Sequence, residues 1–536
     1  MIGTGLGDVF EATEFPDCLF TRRYRGCKFV VYNLKYDEGA LVQRLPIDRL
    51  NDLRLEGKVE HNGYHYRCIP RKMLSVRKGN NTITIYDMLT FFGTSLDAAA
   101  KEYLGEGKID EDTSKYTPVH VGRNWRSIGN YCVRDAQLVQ RLAETLIRQF
   151  EGYGVYPQKL YSPAYVSAQY FRGKTAYVGV GRFWVWYRDL LDAALASYAG
   201  GKFEVTWRGA DYLYEYDINS AYPRQIADLI DITDAEIRHG KRYEKAATYG
   251  YIQCSVGVPS DVYSPCPIRR GSVNTFPVGE FETVLTKAEY DYLRARGCRL
   301  RIQDGWWIMA RGGEYPYRHE VERLFTLKDK AKREKRKLDY QLIKLMLNSF
   351  YGKMAQLIPI KGRFRAGWSW NPIYAAIITA NVRIQVTEMQ NTYMDVVGVH
   401  TDSVIAREPL PLGKSKALGD WAYECEGDGV LVGSGIYQVG KKSKYRGFRT
   451  KTPLLETLST RKRSVTIPTH RPYSWREVAH RGMDTEYINR FVDESKALDL
   501  NFDTKRLWFG TWKTPRQALS VPLESSPLIY SDLLGF

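Results

Sequence analysis

The chain of 536 residues has no apolar run long enough to cross a bilayer, and its first residues do not form a signal-peptide pattern. Eight cysteines, at positions 18, 27, 68, 132, 254, 266, 298 and 425, include no C-x-x-C pair and no zinc-ligand cluster. They read as buried or free thiols in a reducing, intracellular compartment. No internal repeat and no low-complexity linker interrupts the sequence. Acid is the scarcer charge, with 61 Asp and Glu against 78 Lys and Arg, a formal net charge of +17. That sign favours a polyanionic partner, because neutralising phosphates releases condensed counterions. The length allows several domains, each with its own core. The 39 tyrosines and 12 tryptophans mostly belong in those cores, yet they also offer flat faces on which unpaired bases can stack.

The stretch Lys344-Leu345-Met346-Leu347-Asn348-Ser349-Phe350-Tyr351-Gly352 carries the first chemical signal. At about 100° per residue, Lys344, Asn348 and Tyr351 share one face of a helix. Leu345, Met346, Leu347, Phe350 and Met354 spread around the remainder, where they can pack. A cation, an amide and a ring in one row suit a nucleotide: charge for phosphate, ring for base. Gly352 lets a bulky partner approach the backbone. By itself the row equally fits an ordinary amphipathic helix with a solvated stripe.

Two further motifs stand in order around it. K-x-x-x-N-S-x-Y-G resembles the fingers motif of family-B DNA polymerases. Upstream, Asp217-Ile218-Asn219-Ser220-Ala221-Tyr222-Pro223 resembles the palm motif D-x-x-S-x-Y-P of that family. Downstream, His400-Thr401-Asp402-Ser403 resembles D-T-D-S, with histidine in place of the first aspartate. The resemblance covers most of the chain and points to the protein-primed phage and linear-plasmid type. It implies an α/β multidomain fold: an RNase-H-like exonuclease-type domain, then a right-hand polymerase of palm, helical fingers and thumb. Expected boundaries are 1–155 for the exonuclease-like domain, 156–205 for a linker, 206–324 and 357–435 for the palm, 325–356 for the fingers and 436–536 for the thumb.

The N-terminal part departs from the family. Phe29 to Tyr32 reads as a strand, and Asn33-Leu34-Lys35-Tyr36-Asp37 resembles the second exonuclease motif. Ser95-Leu96 opens a helix through Ala98, Ala99 and Ala100, matching an element that holds single-stranded ends. Tyr131-Cys132-Val133-Arg134-Asp135 resembles the third exonuclease motif, followed by a helix with Leu138, Val139, Leu142 and Leu146 inward. A two-metal nuclease also needs the D-x-E pair. Superposing Met1-Ile2-Gly3-Thr4 on D-x-E-T puts methionine and glycine where the acids belong, and Asp8 and Glu11 have the wrong spacing. Either the nuclease is degenerate or the sequence lacks the true first strand; the first is favoured, and Asn33, Asp37, Tyr131 and Asp135 are expected to mark a degenerate site in a domain that keeps its fold.

Further along, Tyr198-Ala199-Gly200-Gly201 resembles the Y-x-G-G linker of protein-primed polymerases, although locally it also reads as a plain turn. Tyr212 to Ile218 alternates like a strand, with Leu213, Glu215 and Asp217 on one face. Residues 250–324 read as further palm structure. Lys328 to Lys337 holds seven basic residues in ten, either a solvated face or the second arm of a helical fingers hairpin. The interval from Gly352 to Asp402 is short, which leaves little room for the insertion that encircles DNA in protein-primed relatives. Val396 to Ala406 reads as a hairpin turning at the motif. Residues 437–451 are basic, with Lys441, Lys442, Lys444, Arg446, Arg449 and Lys451 around Tyr445, near the place of the family's K-x-Y element.

Carried over residue by residue, the resemblance implies a site for phosphoryl transfer in a template-directed DNA polymerase; the alternatives are a primer-independent or protein-primed initiating polymerase, or a catalytically impaired DNA-binding relative. Asp217 and Asp402 would bridge two Mg²⁺ ions about 4 Å apart, with the Ile218 carbonyl as a further ligand and Mn²⁺ as an alternative ion. Lys344 and Lys328 would meet the triphosphate, and Ser220, Ala221, Tyr222, Asn348 and Tyr351 would complete the nucleotide pocket, with Tyr222 beneath the sugar. Tyr198, Gly200, Gly201, Lys442, Lys444 and Tyr445 would contact DNA. His400, two residues from Asp402, is expected to face the site, weaken Mg²⁺-supported catalysis and favour Mn²⁺. Implied partners are primer–template DNA, dNTPs and a terminal priming protein, with no membrane; a monomer in the cytoplasm, of the host if viral, is expected.

Overall fold

The strand Trp207–Ile218 is the axis of the molecule. Leu213 and Glu215 are buried on it, and Asp217 follows two residues later at its end. In the computed structural model, which describes residues 1–111, 118–360, 363–413, 415–448 and 450–533, this strand lies in the middle of the largest sheet. Among the described residues that sheet has nine strands. From one edge, the main path runs Lys442–Tyr445, Ile436–Val439, Trp421–Gly433, Trp207–Ile218, Ser403–Ala406, Val396–Thr401 and Lys202–Val205. Two intervals therefore differ from the expected boundaries. Lys202–Val205, in the expected linker, is a strand of this sheet, and so are Ile436–Val439 and Lys442–Tyr445, because the meander that begins at Trp421 continues through them.

The rest of the expected linker is helical. Ser162 caps the helix Pro163–Lys174, its hydroxyl accepting the Tyr165 N–H at 3.3 Å. That helix packs on the helix Lys337–Ser349 through Ser167, whose hydroxyl donates to the Met346 carbonyl. The basic run 328–337 is not one helix. Arg318–Arg333 ends within it, Lys335 takes a φ of +57°, and Lys337–Ser349 runs back beside the first. A helical hairpin results. After it, Leu357–Ile360 and Arg363–Ala366 pair as a small hairpin where the long insertion was expected to be reduced.

Residues within 250–324 do not extend the central sheet. Glu236–His239, Arg299–Met309, Tyr249–Val258 and Gly279–Thr286 form a separate antiparallel sheet in that order. Ile252, Val256, Phe281, Leu293 and Trp307 give it a core of its own. The N-terminal part holds a five-stranded sheet ordered Phe29–Val31, Asn81–Asp87, Met73–Lys78, Tyr64–Ile69 and Lys58–His61, with only the first pair parallel. Ser95 caps Leu96–Leu104 as expected, accepting the Ala98 N–H at 3.2 Å. The helix Trp125–Gly152 buries Leu138, Val139, Leu142 and Leu146, and it begins before the third exonuclease motif, so Tyr131 and Asp135 sit one turn apart on it.

The C-terminal region closes back on this N-terminal part. Val465–Pro472 pairs with Phe491–Leu498, and the helix Trp475–Arg481 lies between them in sequence. Trp475 and Ala479 are buried in the core that also contains Leu50, Leu53 and Tyr66. Asn489 donates to the Tyr36 carbonyl at 3.0 Å. All eight cysteines are free thiols. Among the described residues no helix is long and apolar enough to cross a membrane.

Candidate active site

Strand pairing brings the two motif aspartates together. Val396–Thr401 and Ser403–Ala406 form the expected hairpin, with His400 opposite Ser403 and Thr401 in the left-handed region at φ +68°. Ser403 pairs with Asp217 on the neighbouring strand, and the Ile218 N–H donates to the Asp402 carbonyl at 2.9 Å. Asp217 and Asp402 thus emerge at adjacent strand ends. Burial pushes the Asp217 carboxyl up to about 7, and Asp402 and Glu424 push it the same way while Lys442 opposes them. Asp402 is raised by burial too, against its own backbone N–H and the Lys344 and Lys442 ammoniums. The buried Asp217 Oδ1 has no hydrogen-bond partner. An unpartnered carboxylate oxygen beside a second carboxylate is the situation a bound cation relieves, and an all-oxygen donor pair suits Mg²⁺. Among the described residues no group of three or more His, Cys, Asp or Glu side chains could hold a metal ion. A divalent ion here would draw its other ligands from water and substrate phosphates, as Mg²⁺ commonly does.

A nucleotide-shaped wall stands beside these acids. Ser220 precedes the helix Ala221–Ala227 with φ +57°, and Lys328 Nζ donates to its Oγ at 2.8 Å. Lys328 is 7% exposed, and burial lowers its ammonium to about 8, with Lys344 and Lys332 acting in the same direction. Lys344 and Asn348 are exposed on the face where Tyr351 is half-buried, while Leu342, Ile343, Met346, Leu347 and Phe350 are buried. The row read from the sequence exists. Tyr222, whose phenol is raised chiefly by burial, stacks on Tyr351. Ala221 is buried in the same core.

The Y-x-G-G segment reaches the same place. Gly201 has no room for a side chain: a Cβ there would lie 2.4 Å from Thr401 Cγ2 and 2.9 Å from the Tyr222 hydroxyl. Arg383, from the helix Pro372–Thr392, donates to the Ala199 carbonyl at 2.8 Å and the Gly200 carbonyl at 3.0 Å. Its guanidinium also pairs with Glu289 at 2.6 Å, both side chains almost fully buried. Tyr198 is half-buried beside this arginine. Arg383 and Glu289 lie in no motif.

Lys442, expected at DNA, turns inward. It pairs with Glu215 at 3.0 Å and Glu424 at 3.5 Å, and Glu215 also accepts the Tyr437 hydroxyl at 3.0 Å. The Tyr445 hydroxyl is shared between Thr452 and Thr457. Lys444 is exposed, and Arg449 lies outside the described residues. His400 departs from expectation. It is 5% exposed, stacked on Tyr437 at 4.5 Å and edge-on to Phe203 at 5.0 Å. Burial lowers its imidazole to about 3, and neither ring nitrogen has a partner. Tyr437 and Phe203 close an aromatic layer over this position, so His400 packs instead of lining the site.

The expected degenerate nuclease residues also come together. Asn33, in the left-handed region at φ +73°, donates its N–H to Asp87, which is 1% exposed. Burial pushes Asp37 up to about 7, with Asp87 adding to it. Lys108 Nζ, from the loop after Leu96–Leu104, pairs with Asp135 at 2.7 Å and donates to the Tyr131 hydroxyl at 2.6 Å, both partners on the helix Trp125–Gly152. Burial pulls the Lys108 ammonium down, but those two partners outweigh it and hold it above its usual value. The Ile2–Gly3 segment pairs only with Val9–Phe10 and is not a strand of the five-stranded sheet. Gly3 lies so close to the Cys132 backbone that a Cβ would come within 2.5 Å of its carbonyl carbon. Lysine 108 and Asp87 were not singled out in the sequence; neither belongs to a motif quoted from it.

Residues 127–361 match the family DNA polymerase type B, organellar and viral. A DNA polymerase of Acidianus bottle-shaped virus is 24% identical over 295 residues, 49% of this chain and 41% of that protein. The primer-independent DNA polymerase PolB of Escherichia coli is 26% identical over 249 residues, 42% of this chain and 29% of that protein. The alignments with these curated relatives cover less than half of their length. Among solved structures, Phi29 DNA polymerase in complex with primer–template DNA and incoming nucleotides superposes with a TM-score of 0.61 at 18% identity, covering 88% of this chain and 90% of that one. An orthorhombic crystal form of the same polymerase gives 0.64 at 17% identity, with 88% and 91% covered. The motif resemblance to family-B DNA polymerases is borne out, and so is the fold: an exonuclease-type domain with palm, fingers and thumb.

Proposed function

We propose that this chain is a template-directed DNA polymerase that adds dNTPs to a 3′-hydroxyl. The observation that carries the reading is the adjacency of Asp217 and Asp402, fixed by the pairing of Ser403 with Asp217 and of the Ile218 N–H with Asp402. Mg²⁺ ions held by these carboxylates would neutralise phosphate charge and favour the deprotonated 3′-oxygen. Lys328 and Lys344 then offset charge developing on the leaving pyrophosphate. Lys328 is pre-aimed, because its bond to Ser220 fixes the ammonium beside the helix that starts at Ala221. Tyr222 and Tyr351 present a stacked wall for sugar and base, with Asn348 on the helix that ends just before Tyr351. Primer–template DNA and dNTPs are the substrates, and Tyr198, Gly200, Gly201, Lys444 and Tyr445 are proposed to lie along the DNA. Asn33, Asp37, Tyr131 and Asp135 are read as a nuclease site without its first acids, with no proofreading.

A second reading, initiation without a DNA primer, is favoured by the name of the Escherichia coli relative, a primer-independent polymerase. Purified protein, labelled template and dNTPs with Mg²⁺, tested with primer, without primer and with a priming protein, distinguish the two. Template-matched extension of the primer supports the first; products only in its absence support the second. No incorporation in any arm refutes both.

A further inference from the structure

The helix that bears Lys344 and Asn348 is held at both ends by residues from outside the hairpin. At its far end the Ser167 hydroxyl donates to the Met346 carbonyl, and Phe171 stacks on Phe350 at 4.4 Å with planes 16° apart. At its near end stands Asp339, in the first turn and only 6% exposed. Asp339 Oδ1 accepts from the Gln149 side-chain amide and from the Tyr153 hydroxyl, and Oδ2 pairs with Arg336. Gln149 and Tyr153 come from the last turn and the C-cap of Trp125–Gly152, the helix that carries Tyr131 and Asp135. Beside this clasp, Lys337 pairs with Glu102 of Leu96–Leu104. The nuclease-like part thus grips the hairpin helix where that helix begins.

Cohesion alone does not account for the clasp. Leu142, Leu146 and Phe150 already share a buried core with Leu342, Ile343 and Met346, which joins the two parts by apolar contact. Burying a carboxylate there costs desolvation, and apolar residues of similar volume would stabilise the junction as well. A carboxylate that takes three directed donors contributes something different: it fixes the rotation and register of one helix against the other, which apolar packing leaves looser. Register matters here because Lys344 and Asn348 follow on the same helix, roughly 8 and 14 Å along its axis from Asp339. A tilt of the near end displaces both.

We propose that the nuclease-like domain braces the nucleotide site, and that Asp339 is the positioning residue through which it does so. Gripped by Gln149 and Tyr153, Asp339 sets where Lys344 and Asn348 meet the incoming nucleotide. The identity of that ligand rests on the polymerase reading; the brace itself does not require synthesis. The test uses the full chain. Gln149→Ala/Tyr153→Phe removes both cross-domain donors and leaves Asp339 paired with Arg336. Both positions are half-buried, and Tyr153→Phe alone is the milder variant where the double one folds poorly. Backbone amides of Lys337–Ser349 should exchange with deuterium on the order of ten-fold faster, while those of Trp207–Ile218 stay unchanged. In single-nucleotide incorporation the KM for dNTP should rise on the order of ten-fold, with kcat within about two-fold and primer–template affinity unchanged. Unchanged exchange or an unchanged KM would overturn the proposal. A fall of kcat and DNA affinity in step with the melting temperature would equally overturn it, as the mark of a merely structural contact. If the parent incorporates no nucleotide, the polymerase reading has failed and exchange alone decides the brace: faster exchange in Lys337–Ser349 supports it, and unchanged exchange overturns it.

Discussion

Tyr222 and Tyr351 stack face to face, their ring centroids 4.3 Å apart and their planes within 8° of parallel. One ring comes from the palm motif and the other from the fingers motif, so the stack joins two sequence signals that lie 129 residues apart. Tyr222 is 8% exposed and cannot move without disturbing Tyr351. Tyr222→Val should remove the floor beneath the sugar. The ratio of dNTP to rNTP incorporation efficiency is then expected to drop on the order of a hundred-fold. An unchanged ratio would place the sugar elsewhere.

The tight seat of Gly201 gives a second expectation. Gly201→Ala must push either Thr401 or the Tyr222 hydroxyl aside, since a Cβ would sit 2.4 Å from one and 2.9 Å from the other. Overpacking of this kind costs about 1–3 kcal/mol. Incorporation should slow while DNA affinity changes little. Wild-type rates from a stably folded variant would show that the linker does not set the geometry of the motif turn.

Much of this site was legible because its residues sit in short motifs on regular elements. The Lys344 row followed from helical spacing, the Asp402 turn from alternating apolar residues, and Asp217 from the strand before it. His400 was misplaced for a physical reason. Residues two apart share a face only on a regular strand, and Thr401 breaks that regularity with a positive φ. The inward turn of Lys442 depends on Glu215, a charge buried in mid-strand that local pattern treats as one more alternation. Contacts such as Asn489 with Tyr36, or Arg383 with Ala199, join segments hundreds of positions apart or nearly so. No local periodicity encodes them.

The buried His400 yields a pH dependence in place of a metal preference. In the folded chain its pKa is lowered to about 3 by burial, whereas an unfolded histidine takes up a proton near 6.5. The stability associated with the neutral ring is therefore full above about pH 6.5. It is lost as pH falls toward 3, because only the unfolded state binds the proton. His400→Leu should thus be more acid-tolerant than the parent, by roughly 2 kcal/mol at about pH 5 relative to neutral pH. Melting curves at both pH values check this. A variant that loses stability in parallel with the parent would show that His400 is not the acid-labile group. His400→Asp is expected to destabilise the aromatic layer instead of improving use of Mg²⁺.

Lys108 bears on nuclease activity. Its ammonium is bonded to both Asp135 and Tyr131, and no acid stands at Met1 or Gly3. The chain should not shorten labelled single-stranded DNA from its 3′ end in Mg²⁺ or Mn²⁺. Trimming that disappears in Asp37→Ala would reverse the reading of this domain. Lys108→Met should still show no trimming, and it should lower stability modestly by leaving the half-buried Asp135 without its ion-pair partner.

The paired aspartates carry the whole account, and two substitutions test them together. Asp217→Asn and Asp402→Asn remove one carboxylate charge each with little change of shape. Primer–template affinity by anisotropy and single-turnover extension in Mg²⁺ are measured on the same preparations. The account predicts affinity within about three-fold of the parent and incorporation reduced at least about a thousand-fold, the scale of several kcal/mol of lost charge stabilisation. Either variant extending primers at a rate near the parent's would contradict it.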